Sequence, residues 1–131
     1  MQPAPTQADL DANALARLVA AFYAKVRQDA LLGPVFNAAI TDWPAHEAKL
    51  ARFWSSVMLG SGAYHGSPMA AHMRHQSAIT PAMFAHWLAL WGQTARQLLP
   101  APAAQAVIAK AERIGESLQL ALFFRLPPRA A

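Results

Sequence analysis

Alanine fills 31 of the 131 positions of this chain, and the large apolar residues between the alanines recur at three- and four-residue spacing without strict alternation. Alanine and leucine are strong helix formers, and a period near 3.6 places such apolar residues on one helix face. Three sites also pair a capping side chain with a proline in the following turn: Asp42 with Pro44, Ser67 with Pro68, and Thr80 with Pro81. Proline has no amide hydrogen to lose in a helix's first turn, so these pairs mark helix starts. The fold class is all-α.

The punctuation divides the chain into helices. Thr6 with Asp9 resembles a capping box, and Leu15, Leu18, Val19, Phe22, Tyr23 and Val26 follow at helical spacing until Gly33-Pro34 ends the segment. A short piece spans residues 34–40. The next helix, capped at Thr41-Asp42, carries His46, Leu50, Phe53, Trp54 and Val57 and stops near Gly60-Ser61-Gly62. Ser67-Pro68 opens a short helix around His72. Thr80-Pro81 opens a longer one with Phe84, Trp87, Leu88, Trp91, Ala95 and Leu98 on one face. After Pro100-Ala101-Pro102, a final helix presents Val107, Ala111, Ile114, Leu118 and Leu122.

A chain of this length is most simply one domain, 1–131, with a core over about 12–124 and a frayed tail at 126–131. There is no cysteine, which excludes disulfides, thiolate zinc sites, iron–sulfur clusters and thiol catalysis. The net charge is +4, yet the eleven lysines and arginines are scattered singly rather than gathered on a phosphate-binding face. The expectation is no nucleic-acid partner. No apolar run approaches the ~18 residues of a membrane span, and the N-terminus lacks a signal-like pattern, so a soluble cytoplasmic protein without membrane partners is expected. Phosphate-cradling glycine loops, G-x-S-x-G and H-E-x-x-H are absent, which removes support for NTPase and hydrolase chemistry.

The informative residues are polar ones on apolar stripes. His46 shares register with Leu50, Phe53 and Val57 and should face inward, although spacing alone also admits a partly exposed histidine in a first turn. His72 stands among Ala70, Ala71, Met69 and Met73 with no acid within a turn, a smooth apolar wall offering one imidazole to a metal. A surface histidine is equally compatible with that pattern. Tyr23 and Trp87 each bring one donor to an apolar face, and a buried hydroxyl without a partner costs about 1–3 kcal/mol. Simple packing accounts for either taken singly. His72 and His75, with His65 and His86, would make a non-haem metal site only with a carboxylate or a close third ligand, and the sequence offers none nearby.

Several segments together resemble the group III truncated haemoglobins. They are Phe22-Tyr23-Ala24-Lys25-Val26-Arg27, Leu32-Gly33-Pro34-Val35-Phe36-Asn37, Trp43-Pro44-Ala45-His46, Phe53-Trp54, Tyr64-His65-Gly66-Ser67-Pro68 with His72, and Phe84-Ala85-His86-Trp87-Leu88. The paired-glycine motifs usual in groups I and II are missing. The resemblance spans roughly residues 12–124. It departs from the family after His72, where Met73-Arg74-His75-Gln76-Ser77 replaces a stretch that often holds leucine and proline.

The resemblance implies a truncated globin-like two-over-two helical sandwich around one haem b. It implies His72 as the proximal iron ligand, Tyr23, His46 and Trp87 as distal ligand-stabilising residues, and Phe36 packed on the porphyrin. Lys49 would reach a haem propionate, and Phe53, Trp54 and Met69 would join the haem contacts. A five-coordinate iron would then bind O2, CO and NO reversibly. Donors at Tyr23 and Trp87 would slow oxygen release, which suits nitric oxide detoxification or peroxidase-like redox with an external reductase as electron donor. A module that binds, delivers or senses oxygen without turnover is the alternative, with a basic helical partner- or nucleic-acid-binding protein as a remote one. The expected state is a monomer or weak dimer.

Overall fold

A computed structural model describes residues 10–123. The Thr6–Asp9 capping box and the tail at 126–131 lie outside them. The described residues form six α-helices and one 3-10 turn: α1 (Ala12–Gln28), α2 (Gly33–Ala39), α3 (Trp43–Leu59), α4 (Pro68–Arg74), the 3-10 turn (Gln76–Ala78), α5 (Pro81–Leu98) and α6 (Ala101–Phe123). The all-α expectation therefore holds.

Four helix starts are closed by side chains. Asp11 accepts from the Ala14 amide at 2.8 Å, Asp42 from Ala45 at 3.0 Å, Ser67 from Ala70 at 3.1 Å and Thr80 from Met83 at 3.3 Å. Each satisfies an amide that would otherwise lack a partner, stabilising its helix by about 1 kcal/mol. The sequence places three of these four caps. The other boundary differs, because α1 stops at Gln28 and Gly33-Pro34 open α2 instead of ending α1. The reason is Asp29, whose amide donates to the Val26 carbonyl at 3.1 Å while its carboxylate accepts from Leu31 and Leu32 at 2.9 Å each. At the far end of α3, Gly60 takes a left-handed conformation (φ 67°), which a side chain would resist.

The six apolar residues predicted for α1 are all buried. That helix lies against both α3 and α5, and α6 returns along α5 after a two-residue connection. The result is two helix pairs, α1/α3 and α5/α6, joined where α1 meets α5. Phe22 sits at that junction, with its ring edge-on to Tyr23, Trp87 and Trp91 at 4.9, 5.2 and 5.1 Å between centroids. Trp91 stacks on Trp54 at 4.4 Å and donates its indole N–H to the Val107 carbonyl of α6 at 3.2 Å. Leu98 leaves the predicted α5 face and is exposed in the last turn.

Helix α4 is held differently. It contains no buried residue and packs chiefly on α6, beside a small second cluster of Phe84, Leu118 and Leu122. No helix among the described residues is long and apolar enough to cross a membrane.

Candidate functional site

Three polar side chains from three helices converge on one wall. Tyr23 comes from the buried face of α1, His46 from the first turns of α3, and Trp87 from the middle of α5. The Tyr23 and His46 rings meet edge-on at 5.3 Å, and Phe36 of α2 packs against Tyr23 at 5.8 Å. Trp87 reaches the group through Phe22 and lies parallel to Trp91, 5.7 Å away. Trp43, which in the sequence marks only a helix start, belongs here too. It lies 5.7 Å from both Tyr23 and His46, with the Arg27 guanidinium 4.9 Å over its ring.

Burial governs the protonation of this wall. It pushes the Tyr23 phenol far above its ordinary value, a rise that the Trp87 side chain partly offsets by hydrogen bonding and Glu47 reinforces by its charge. Tyr23 is therefore a neutral donor across the physiological range. His46 is displaced downward, first by burial and then by the Lys49 charge three residues on, so it is held in the neutral form. Its Nε2 is buried and has no hydrogen-bond partner among the described residues. Native structures rarely leave such an atom unpaired without a functional reason.

The stripe running down α3 from His46 is amphipathic yet incompletely covered by protein. Leu50, Phe53 and Val57 are only half-buried, although they occupy the helix's apolar spacing. Neighbouring positions diverge: Phe53 turns to Tyr64, ring centroids 5.2 Å apart, while Trp54 turns into the core against Trp91. Adjacent residues are about 100° apart around a helix, so the two rings meet edge-on at 5.5 Å yet pack against different neighbours. Trp54 is thus buried in the packing between the helix pairs. Lys49, one turn after His46, is exposed.

On α4, the His72 ring donates from Nδ1 to the Pro68 carbonyl one turn back, at 2.6 Å. A carbonyl can only accept, so Nδ1 carries the proton and the lone pair of the neutral ring resides on Nε2. That is the tautomer that metal-binding histidines adopt, with the second nitrogen oriented by a backbone oxygen. Phe84 stacks beside His72 at 6.3 Å. Met69 stands one turn before it, 38% exposed. The loop leading into α4 is pinned by the Tyr64 amide, which donates to Ser56 at 2.9 Å, and the Tyr64 ring lies over Gly66. A Cβ on Gly66 would fall 2.6 Å from the Tyr64 hydroxyl, so this contact requires glycine.

The remaining histidines stand apart from this arrangement. His86 faces away from Trp87 and binds the Asp29 carboxylate at 2.5 Å, tying α5 to the turn between α1 and α2. Among the described residues no three histidine or acidic side chains group closely enough to hold a metal between them. Sequence reasoning missed Trp43, the His86–Asp29 pair and the Pro68 carbonyl. Only the last had a visible signal, the four-residue spacing from Pro68 to His72.

No family model matches the chain. It is nevertheless 30% identical over 118 residues to the group 3 truncated hemoglobin ctb of Campylobacter jejuni, an alignment covering 87% of this chain and 92% of that protein. The crystal structure of the group III truncated hemoglobin from Campylobacter jejuni superposes with a TM-score of 0.77 at 31% identity, again covering 87% and 92% of the two chains. Sequence and fold agree over nearly the same extent, and the chain belongs to the group III truncated haemoglobins.

Proposed function

We propose that this protein is a haem b globin in which His72 holds the iron and Tyr23, His46 and Trp87 line the side where a diatomic gas binds. Membership in a haemoglobin family makes it a haem protein for gases such as O2, CO and NO. The observation that carries the residue assignment is the His72 ring. Its Nδ1 is committed to Pro68, and its Nε2 is left as a neutral ligand on a helix with no buried residues. The donor set fits haem, because His72 would offer its iron a single imidazole nitrogen and the buried Nε2 of His46 has no protein partner among the described residues. When bound, haem would supply the iron at which a diatomic molecule is taken up.

The chain's own residues determine how tightly that molecule is held. Phe36, Leu50, Phe53 and Met69 provide apolar surface for the porphyrin, with Lys49 near a propionate. The Tyr23 hydroxyl, kept protonated by burial, and the Trp87 indole donate to a ligand that accumulates negative charge. Hydrogen bonds to charged groups contribute about 1.5–3 kcal/mol each, so each donor slows release by roughly tenfold to over a hundredfold. His46, at the start of α3 and neutral, swings between this pocket and solvent and gates access. Slow release favours turnover over transport: NO, O2 and one electron combine to nitrate, with an external reductase supplying the electron. Peroxidase-like redox is the related use of the same pocket.

The test begins with visible spectra of the haem-loaded protein in ferric, ferrous and ferrous-CO forms. A histidine-type carbonyl spectrum that His72→Ala abolishes is expected, and an unchanged spectrum in that variant refutes the ligand assignment. Stopped-flow O2 release should then accelerate by roughly tenfold or more in Tyr23→Phe and in Trp87→Phe. Catalytic NO consumption with O2 and a reductase marks the enzyme, whereas stoichiometric binding without turnover marks an oxygen carrier or sensor.

A further inference from the structure

Helix α4 carries His72 but has no fully buried residue, so its position depends strongly on what grips its two ends. The leading end is gripped by the Tyr64 loop. At the trailing end, the His72 carbonyl accepts from the His75 amide at 3.0 Å, and His75 caps the 3-10 turn that begins at Gln76. The Gln76 side chain then crosses to α6 and donates from Nε2 to the Leu122 carbonyl at 2.7 Å, joining residues 46 apart in sequence. The amide orientation is fixed by chemistry, since a carbonyl acceptor must face the NH2 group. The bond is half-buried and ends beside the Phe84–Leu118–Leu122 cluster, whose Phe84 stacks on His72.

We propose that Gln76 is a positioning residue for the iron ligand: its side chain straps the end of α4 to α6 and so fixes the orientation of the His72 ring. The inference rests on the assignment of His72 as the haem ligand. It also gives a role to the Met73–Ser77 stretch, where this chain leaves the family's usual pattern. A donor reaching a backbone carbonyl of α6 does the work that sequence-local packing does not do here, because Met73, Arg74 and His75 are all exposed. Losing the donor while keeping the side chain's bulk frees the trailing end of α4 without disturbing the α1/α3 pair, which α4 does not support.

The experiment uses the haem-loaded full chain and compares Gln76→Met, which keeps bulk without a donor, with Gln76→Lys, which restores an N–H donor. Two readouts are taken: amide hydrogen exchange along the chain, and the iron–imidazole stretching band of the ferrous form by resonance Raman. In Gln76→Met, exchange in α4 and the 3-10 turn should quicken by about tenfold while α1 and α3 stay at the parent rate, and the band should broaden as the ring samples more orientations. Gln76→Lys should return both towards the parent. Unchanged α4 exchange and an unchanged band in Gln76→Met overturn the inference, as does equal acceleration in every helix, which marks general destabilisation. A parent protein without any iron–imidazole band fails at the earlier step and refutes the haem assignment itself, so the two failures are distinct.

Discussion

The two walls that carry the site are built by opposite means. On the wall proposed to face the gas, Tyr23 and its neighbours belong to the main core, where Phe22, Trp54 and Trp91 are at most 2% exposed and aromatic edges interlock across α1, α3 and α5. On the histidine wall, α4 has no fully buried residue and is held by its packing on α6 and by individual hydrogen bonds at Tyr64 and Gln76, with Pro68 orienting the His72 ring. One wall is rigid because the fold needs it. The other is specified by a few polar contacts that the fold does not otherwise need, which would concentrate the tuning of the proposed metal ligand in residues of little consequence for stability.

Core truncation probes this contrast with the largest effect. Phe22→Ala should destabilise the protein by about 3–5 kcal/mol in urea unfolding, since it empties the junction of both helix pairs. His72→Ala should change the stability of the haem-free protein by less than about 1 kcal/mol while abolishing the parent's ferrous spectrum in the haem-loaded form. Comparable losses from the two variants would show that α4 is part of the cooperative core and dissolve the distinction.

Gly66→Ala acts at the leading end of α4. The new Cβ must displace the Tyr64 ring, and overpacking of this kind costs about 1 kcal/mol where a side chain can yield. The expected outcome is a small fall in urea midpoint together with a shifted iron–imidazole band. Gly66→Ala with a parent-like band would mean that Tyr64 does not set the position of α4.

On the other wall, His46 gives a pH signature with a definite sign. Burial and Lys49 lower its folded-state value, so between that value and the ordinary one near ~6.5 the unfolded chain binds more protons than the folded one. Stability attributable to His46 is present above that window and is lost as pH falls through it. Melting temperatures of the parent between pH 7 and 5 should decline more steeply than those of His46→Leu. Parallel profiles would place His46 in solvent, outside the Tyr23–Trp43 cluster.

The legibility of the molecule in its sequence divides along the same line. The core wall announces itself by periodicity: Leu15 to Val26 at helical spacing predicted the buried face of α1 apart from Ala14, and His46 and Tyr23 stood out as polar residues on apolar stripes. Proline-marked caps placed the starts of α3, α4 and α5. Contacts between distant residues were invisible, because nothing in Gln76 or Asp29 declares its partner, and a bond to a backbone carbonyl leaves no residue-type signature at the acceptor. Trp54 shows the other limit. Beside Phe53 it reads as the same stripe, and only the rotation between successive helix residues, fixed by which neighbour wins the core, separates them.

The last expected effect concerns the tie between the core wall and α2, which carries Phe36. Asp29 uses one carboxylate oxygen to accept from the Leu31 and Leu32 amides and the other to accept from His86. Chiefly because of His86, and then of the Leu32 amide, its folded-state value lies below the ordinary carboxylate value. Its contribution is therefore present above pH ~4 and lost as pH falls through the lowered value. Asp29→Asn keeps an oxygen for the two amides and removes the charge. Because the His86 side chain is 39% exposed, the pair is screened and the loss should stay within about 1 kcal/mol. Asp29→Ala removes the turn's acceptor as well and should cost about 1 kcal/mol more, as loss of a helix cap does. If Asn and Ala variants are equally destabilised, the ion pair is the whole of the tie. If the Asn variant matches the parent, the turn is held by the amide contacts alone, and the wall that carries Phe36 depends on local backbone geometry as α4 depends on Gln76.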